Sequence, residues 1–297
     1  MISNIIAKRA SKAAFNAVTK RSLSTANNFC DLQGKVIVVA GAGNPPEEGH
    51  GIGATTSLML ARRGAKVVSV SNVDVNANTI TDCILEEGNE AMGLVADCTK
   101  AEGAKMILDE TIAKYGHVDG MINAGVHNAM PNGFAKMTED YWKSAIDINL
   151  HAHFQLVHQF LPHFEERGTG NIIHFTTIAG SVGLGIGKQR HSYAAGKAGA
   201  AVFTKRIGTE YATKGIRANV IQIGYVSGPL VNRAVAQGGA DLGAVTAQRD
   251  SYVPRQKQGT PEEIANVAVF LSSDESSFIN AADIFVDGGG SGCTYGP

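Results

Sequence analysis

Seven short apolar runs alternate with helical patterns along this chain, and that alternation leaves few architectures open. Lys35–Ala40, Ala65–Val70, Ala91–Ala96, Val118–Ile122, Asn171–Thr176, Arg217–Ile223 and Ala282–Val286 read as strands. Helical patterns cover 54–63, 76–87, 100–115, 139–165, 190–213 and 261–272. The first run, rich in β-branched residues, suits a strand buried on both faces, where no polar alternation is needed. Strand and helix in regular turn predict an α/β fold, a doubly wound parallel sheet with helices on both faces. Right-handed crossovers then bring the strand ends to one edge, where ligands bind.

Glycine clusters the first junction. Gly41-Ala42-Gly43 follows the first strand, and Gly51-Ile52-Gly53 opens the next helix. Glycines there let backbone approach a pyrophosphate, and a helix N-terminus supplies unpaired N–H groups and a positive dipole end. The insert Asn44-Pro45-Pro46-Glu47-Glu48-Gly49-His50 is longer than a tight turn needs. At the end of the second strand, dinucleotide folds place a carboxylate on the adenosine ribose, about 20 residues past the glycines. Ser71-Asn72 stands there instead, with Asp74 farther on. No carboxylate repels a 2′-phosphate and no arginine binds one, although His50 could help. NADP is favoured over NAD, which stays the alternative.

A second constellation is Tyr193-Ala194-Ala195-Gly196-Lys197. Positions i and i+4 share one face of a helix, so phenol and ammonium can meet in one pocket. A free phenol titrates near pH 10, and a neighbouring cation favours the phenolate. The expectation is an acid–base tyrosine with a lowered pKa.

Composition narrows the classes. The chain has 297 residues, 35 glycines and only eight prolines. No apolar run reaches the 18 residues that suggest a membrane span. Four scattered cysteines support neither a disulfide framework nor a zinc site. His151, His153, His158 and His163 lie in one helical stretch at spacings of 2, 5 and 5. Those are not the i, i+3 or i, i+4 pairs a metal takes on a helix, so solvated or interface histidines are expected and no metal. The first 30 residues hold Lys8, Arg9, Lys12, Lys20 and Arg21 and no acid. That basic, Ser/Ala-rich, amphipathic stretch has the make-up of a mitochondrial transit peptide, with cleavage expected near residues 23/24. Cleavage there removes five of the 26 basic residues and none of the 27 acids. The negative remainder is a poor partner for nucleic acid. Residues 31–297 then form the catalytic domain of a matrix protein.

Taken in order, these motifs resemble the short-chain dehydrogenase/reductase family over about residues 32–290. The carriers are Gly41…Gly51-Ile52-Gly53, Asp97 after the third strand and Asn123-Ala124-Gly125 after the fourth. They continue through Ile148-Asn149-Leu150, Thr176-Thr177-Ile178-Ala179-Gly180, Tyr193…Lys197, Thr260–Ala265 and Val286-Asp287-Gly288-Gly289. The resemblance implies a single Rossmann-type domain, an NAD(P) cofactor and a small carbonyl or alcohol substrate. It also implies a homo-oligomer, a dimer or tetramer. By the same resemblance Tyr193 is the acid–base group, and Lys197 holds ribose hydroxyls and lowers the tyrosine pKa. Asn149 anchors a relay water. Thr177 takes the place of the family's substrate-binding serine, with Ser181 its rival. Ser71, Asn72, Asp97, Asn123, Ala124, Gly125, Gly224 and Val226 join the glycines around the cofactor.

Departures from the family pattern are the long glycine loop with Ala40 leading it, Ile122 before Asn123, the longer Thr177–Tyr193 loop, Ile223 before Gly224, and Gly228 for a threonine. The segment 228–256 corresponds to the substrate lid. Val231, Val235, Leu242, Val245 and Tyr252 are its candidate pocket residues, and Arg249 and Arg255 read as surface charges. The expected activity interconverts a carbonyl and a secondary alcohol, with 3-oxoacyl thioester reduction or hydroxyacyl oxidation as a candidate. The alternative is a non-catalytic nucleotide-binding subunit that stabilises a partner.

Overall fold

The computed structural model describes residues 29–43, 49–125, 134–182 and 190–293. The basic leader, most of the insert before Gly51 and much of the Thr177–Tyr193 loop lie outside them.

Seven parallel strands form one sheet in the order β3-β2-β1-β4-β5-β6-β7. They are β1 Val36–Ala40, β2 Lys66–Ser71, β3 Ala91–Val95, β4 Gly120–Asn123, β5 Gly170–Thr177, β6 Ile216–Ile223 and β7 Asp283–Val286. Every expected strand is present, with ends shifted by a residue or two.

Nine α-helices accompany them among the described residues: α1 Ile52–Ala61, α2 Asp74–Glu86, α3 Ala101–Tyr115, α4 Glu139–Ile146, α5 Ala152–Arg167, α6 His191–Glu210, α7 Pro229–Gln237, α8 Leu242–Ser251 and α9 Pro261–Ser272. The stretch expected as one helix over 139–165 is two. A π-turn, Asp147–His151, joins α4 to α5, and such turns concentrate at functional sites.

Strand periodicity builds the two cores. Successive side chains leave opposite faces, so Ile37 and Val39 enter one cluster and Val38 and Ala40 the other. Ala54, Leu58, Ile80, Ile84, Ile264 and Ala268 from α1, α2 and α9 cover the first face. Ala104, Ile107, Leu156, Phe160, Phe164 and Ile207 from α3, α5 and α6 cover the second. At about 25 cal/mol per Å² of apolar surface, these two buried layers dominate the stabilisation. No helix among the described residues is long and apolar enough to cross a membrane.

The lid is anchored at its base. Val226 bridges Gly259 in parallel, and Gly259 N donates to Tyr225 O at 2.9 Å. Thr260 and Glu263 form a reciprocal capping box at the start of α9, which satisfies two otherwise unpaired donors. Arg255 meets Glu263 through two nitrogens at 2.7 and 2.8 Å. The guanidinium, ahead of the Thr260 N–H, holds the Glu263 carboxyl down at about 2. Arg255 is therefore a clamp of the lid's end.

Candidate active site

The strand order reverses between β1 and β4, where neighbouring crossovers leave in opposite directions and open a crevice. Two glycines set its shape. Gly41 has φ +82, and a Cβ there would stand 2.6 Å from Gly125 N. A Cβ on Gly53 would lie 2.2 Å from Gly41 O. Only glycine lets the β1 turn, the start of α1 and the β4 turn approach this closely.

A cavity of about 1170 Å³ runs from this cradle to the lid. Every expected site residue lines it except Asn149. Gly41, Gly51, Ile52 and Gly53 form one end, with Ser71, Asn72 and Asp97 beside them. Asn123, Ala124 and Gly125 lie at the middle, and Thr177, Tyr193, Lys197, Gly224 and Val226 form the far end. His50 is exposed and is not among the residues that line the cavity. Ser71 Oγ accepts from Val73 N at 3.1 Å and packs where a Cβ on Gly43 would sit. Asp97 Oδ1 accepts from the Thr99 amide and hydroxyl, and these bonds hold its carboxyl below the ordinary range.

Tyr193 and Lys197 lie one turn apart on α6, as their spacing predicts. Lys197 is buried, and its Nζ donates to Gly125 O at 2.8 Å and Phe175 O at 2.9 Å. Burial lowers its ammonium to about 7. The electrostatics of Tyr193 differ from the expectation. Burial pushes the phenol up, and the influences opposing it are the charge of Arg190 and a hydrogen bond from Thr177, with no lowering by Lys197. The lysine is itself neutral above about 7, so it carries no charge where the raised phenol loses its proton.

Thr177 and Ser181 separate cleanly. Thr177 and Tyr193 both line the cavity, the Thr177 hydroxyl near enough to the phenol to draw its pKa down, and Thr177 Oγ1 also accepts from Ala179 N at 3.2 Å. The Ser181 hydroxyl is turned to Gln222 Oε1 at 2.9 Å, leaving Thr177 as the hydroxyl at the site. Asn149 is buried in the π-turn and donates to Ala145 O at 2.8 Å. A Cβ on Gly196 would meet Asn149 Cβ at 2.9 Å, so the glycine next to Lys197 lets the π-turn pack against α6.

The histidines need correction. His153 and His174 are fully buried, with rings stacked at 3.9 Å. His153 occupies the buried stripe of α5 shared with Phe160 and Phe164. Its Nε2 pairs with Thr204 Oγ1 at 2.9 Å, and Asn123 Nδ2 stands 3.4 Å from its Nδ1. Asn123 Oδ1 in turn accepts from Gly125 N at 2.9 Å, linking His153 to the turn that holds Lys197. Desolvation, ahead of the Lys197 charge, lowers the His153 pKa to about 3, and both rings are neutral. Comparing pair spacings with metal motifs missed this, because the 3.6-residue stripe decides which histidine faces inward. His163 Nε2 accepts from Val118 N at 3.1 Å, while His158 is exposed.

On the lid side, Val231, Val235, Val245 and Tyr252 line the cavity, whereas Leu242 is exposed. Arg249 is not a surface charge. It lines the cavity with its guanidinium 5.0 Å from the Tyr225 ring centroid. Arg190, three residues before Tyr193, lies 5.9 Å from that ring. That i, i+3 spacing was the available signal for it.

A dinucleotide cradle at a sheet switch point, leading to a tyrosine and a lysine one turn apart, defines a nucleotide-dependent oxidoreductase. Comparison with known proteins is specific about which kind. A family model described as enoyl-(acyl carrier protein) reductase matches residues 47–291. Cyclohexanol dehydrogenase of an Acinetobacter strain is 32% identical over 86% of this chain and 94% of its own. Cis-4-hydroxycyclohexanecarboxylate dehydrogenase of Sinomonas cyclohexanicum is 34% identical over 86% and 96%. The 3-oxoacyl-(acyl-carrier-protein) reductase FabG of Thermotoga maritima is 30% identical over 87% and 98%. A crystal structure of a short-chain dehydrogenase/reductase from Burkholderia xenovorans superposes with a TM-score of 0.83 at 29% identity, covering 89% of this chain and 99% of that one. The chain belongs to the short-chain dehydrogenase/reductase family and is an enzyme of it.

Proposed function

We propose that this enzyme interconverts a ketone and a secondary alcohol with NADP(H), Tyr193 exchanging the proton. The observation that carries the reading is that Thr177, Tyr193 and Lys197 line the same cavity, with Tyr193 and Lys197 one helical turn apart on α6. The cradle fits a dinucleotide: the pyrophosphate would approach Gly41, Gly51 and Gly53, which no Cβ obstructs. Lys197 would hold the nicotinamide ribose, and Asp97 and Ser71 would flank the adenosine. When bound, the nicotinamide supplies or takes the hydride. The protein's own work is at the oxygen. Thr177 and Tyr193 hydroxyls converge on it, and Tyr193 gives up its proton in reduction and recovers it in oxidation. A turnover screen with NADPH and NADH over a ketone panel tests the reading, and the absence of turnover with every pairing would overturn it. Relatives act on ring alcohols and on 3-oxoacyl thioesters, and both substrate classes belong in that panel.

The preference for NADP rests on Ser71. A carboxylate at that position repels the 2′-phosphate. Ser71→Asp is expected to shift the ratio of NADPH to NADH affinity at least about tenfold toward NADH. Fluorescence titration of both nucleotides against both proteins measures it. A wild type that already binds NADH tenfold more tightly would reverse the assignment.

The leader supports a mitochondrial matrix location, since it combines five cations with no acid in 23 residues. The mature N-terminus, determined by mass spectrometry on protein from its native cells, is expected near Ser24. An intact Met1 on the cytosolic protein would end that proposal.

A further inference from the structure

We propose that His153 is a positioning residue for nucleotide capture: through Asn123 it fixes the turn whose Gly125 carbonyl holds the Lys197 ammonium. The inference rests on the reading that Lys197 holds the nicotinamide ribose, and adds to it the group that keeps the lysine in place.

His153 is fully buried and is not among the residues that line the cavity, so any influence on a nucleotide must pass through its neighbours. Its ring is clamped, stacked on His174 at 3.9 Å and edge-on to Phe203 at 5.8 Å. The hydrogen bonds around it admit one arrangement of protons. Thr204 Oγ1 donates its only proton to Ala200 O at 2.7 Å, so it must accept from His153 Nε2–H at 2.9 Å. Gly125 N can only donate, so the Asn123 atom it meets at 2.9 Å is the amide oxygen. That leaves Asn123 Nδ2 to donate toward the unprotonated His153 Nδ1, 3.4 Å away. A neutral ring with its proton on Nε2 satisfies every one of these bonds.

The chain of bonds begins and ends on α6. From Thr204 it passes through His153 on α5 and Asn123 at the end of β4 to Gly125, whose carbonyl accepts from Lys197 Nζ at 2.8 Å. Asn123 is the member that both lines the cavity and meets the buried ring. The terminal torsion of a carboxamide is broad, so the single bond from Gly125 N leaves its plane loosely set. The ring acceptor supplies the second contact. With that plane fixed, Gly125 stands where its carbonyl meets the ammonium and its amide closes on Gly41, at which a Cβ would come within 2.6 Å. His153 thus orders the wall between the places proposed for the pyrophosphate and the nicotinamide ribose.

The test titrates NADPH and NADH by fluorescence into the full chain and its variants, and reads whichever nucleotide wild type binds more tightly. Leucine has the shape of asparagine without its polar atoms, so His153→Leu and His153→Asn differ in the acceptor that asparagine places where Nδ1 stood. His153→Leu is expected to weaken the nucleotide about fivefold, the scale of one buried hydrogen bond, and His153→Asn to stay within about twofold of wild type. His153→Gln, which reaches Thr204 and offers Asn123 nothing, should weaken it as leucine does and replaces that variant if it fails to fold. In a Lys197→Ala background the loss from His153→Leu should vanish, since both act on one chain. Thermal midpoints are read alongside. Leucine and asparagine both leave Thr204 unmet and lower the midpoint, so a merely structural role would cost stability in both and affinity in neither. Histidine-labelled protein should show the His153 proton on Nε2 by nitrogen-correlated NMR. Wild-type affinity in His153→Leu and His153→Gln, no rescue by asparagine, an undiminished loss in the Lys197→Ala background, or a ring protonated on Nδ1 overturns the proposal. Failure of the underlying reading looks different, because Lys197→Ala itself would then bind nucleotide as wild type does.

Discussion

Tyr193→Phe is expected to lower turnover at least about 10²-fold, the usual contribution of a positioned acid–base group, while nucleotide affinity stays nearly unchanged. The substitution deletes one oxygen. The ring remains on α6 beside Arg190, so packing and the cation contact survive. What disappears is the hydroxyl that lies beside Thr177 on the cavity wall. In the oxidative direction wild type should rise with pH as the phenol loses its proton. Burial raises that limb and Arg190 and Thr177 draw it down, so it reports their balance. Steady-state rates with a competent ketone and alcohol, together with nucleotide titration, check both halves. A Phe variant that keeps most of its turnover would remove Tyr193 from the proton step.

Lys197→Ala is expected to damage affinity and rate together. Its ammonium is buried and spans Gly125 O and Phe175 O, tying the turn after β4 to β5. Removing it leaves two inward carbonyls without that donor, each costing roughly 1–3 kcal/mol if left unpaired, offset in part by relief of a buried charge. Nucleotide KM should rise at least about tenfold, matching loss of a charge-assisted bond to ribose. The pH dependence separates the lysine from the tyrosine. With its ammonium at about 7, Lys197 is charged below that pH and loses its charge above it. kcat/KM for the nucleotide, which reports the free enzyme, should therefore fall as pH rises through about 7 in wild type. The same profile should be flat there in Lys197→Ala. A wild-type profile level from pH 6 to 9 would show that the ammonium charge does not support nucleotide capture.

Much of this enzyme was legible before any coordinates. β-branched runs such as Val36–Ala40 announce strands because residues buried on both faces have no polar alternation to keep. Gly41 and Gly53 announce a close backbone approach because no other residue permits it. Tyr193 and Lys197 announce a shared pocket because a helix turn brings i and i+4 together. All of these are local rules. The broad helix over 139–165 failed for a local reason of another kind, since the π-turn that houses Asn149 leaves no mark in apolar spacing.

What depended on several elements at once was not legible. The spacing predicts a solvated or interface residue at His153, yet it is buried against His174, on a helix stripe whose inward direction only the packing of α5 settles. The spacing predicts that Lys197 lowers the phenol, but burial among distant segments brings the ammonium down to about 7, so it is neutral where the phenol titrates. Ser181 stays a rival to Thr177 in the sequence, and Gln222 on β6 claims its hydroxyl. Arg249 read as a surface charge because the lid's fold over the crevice cannot be inferred from residues 229–251 alone. The sequence by itself determined the sheet, the glycine cradle and the tyrosine–lysine pair, since short-range geometry and periodic burial govern them. Only the tertiary structure decided which charges face one another across the cavity, because electrostatics depends on distances between segments far apart in the chain.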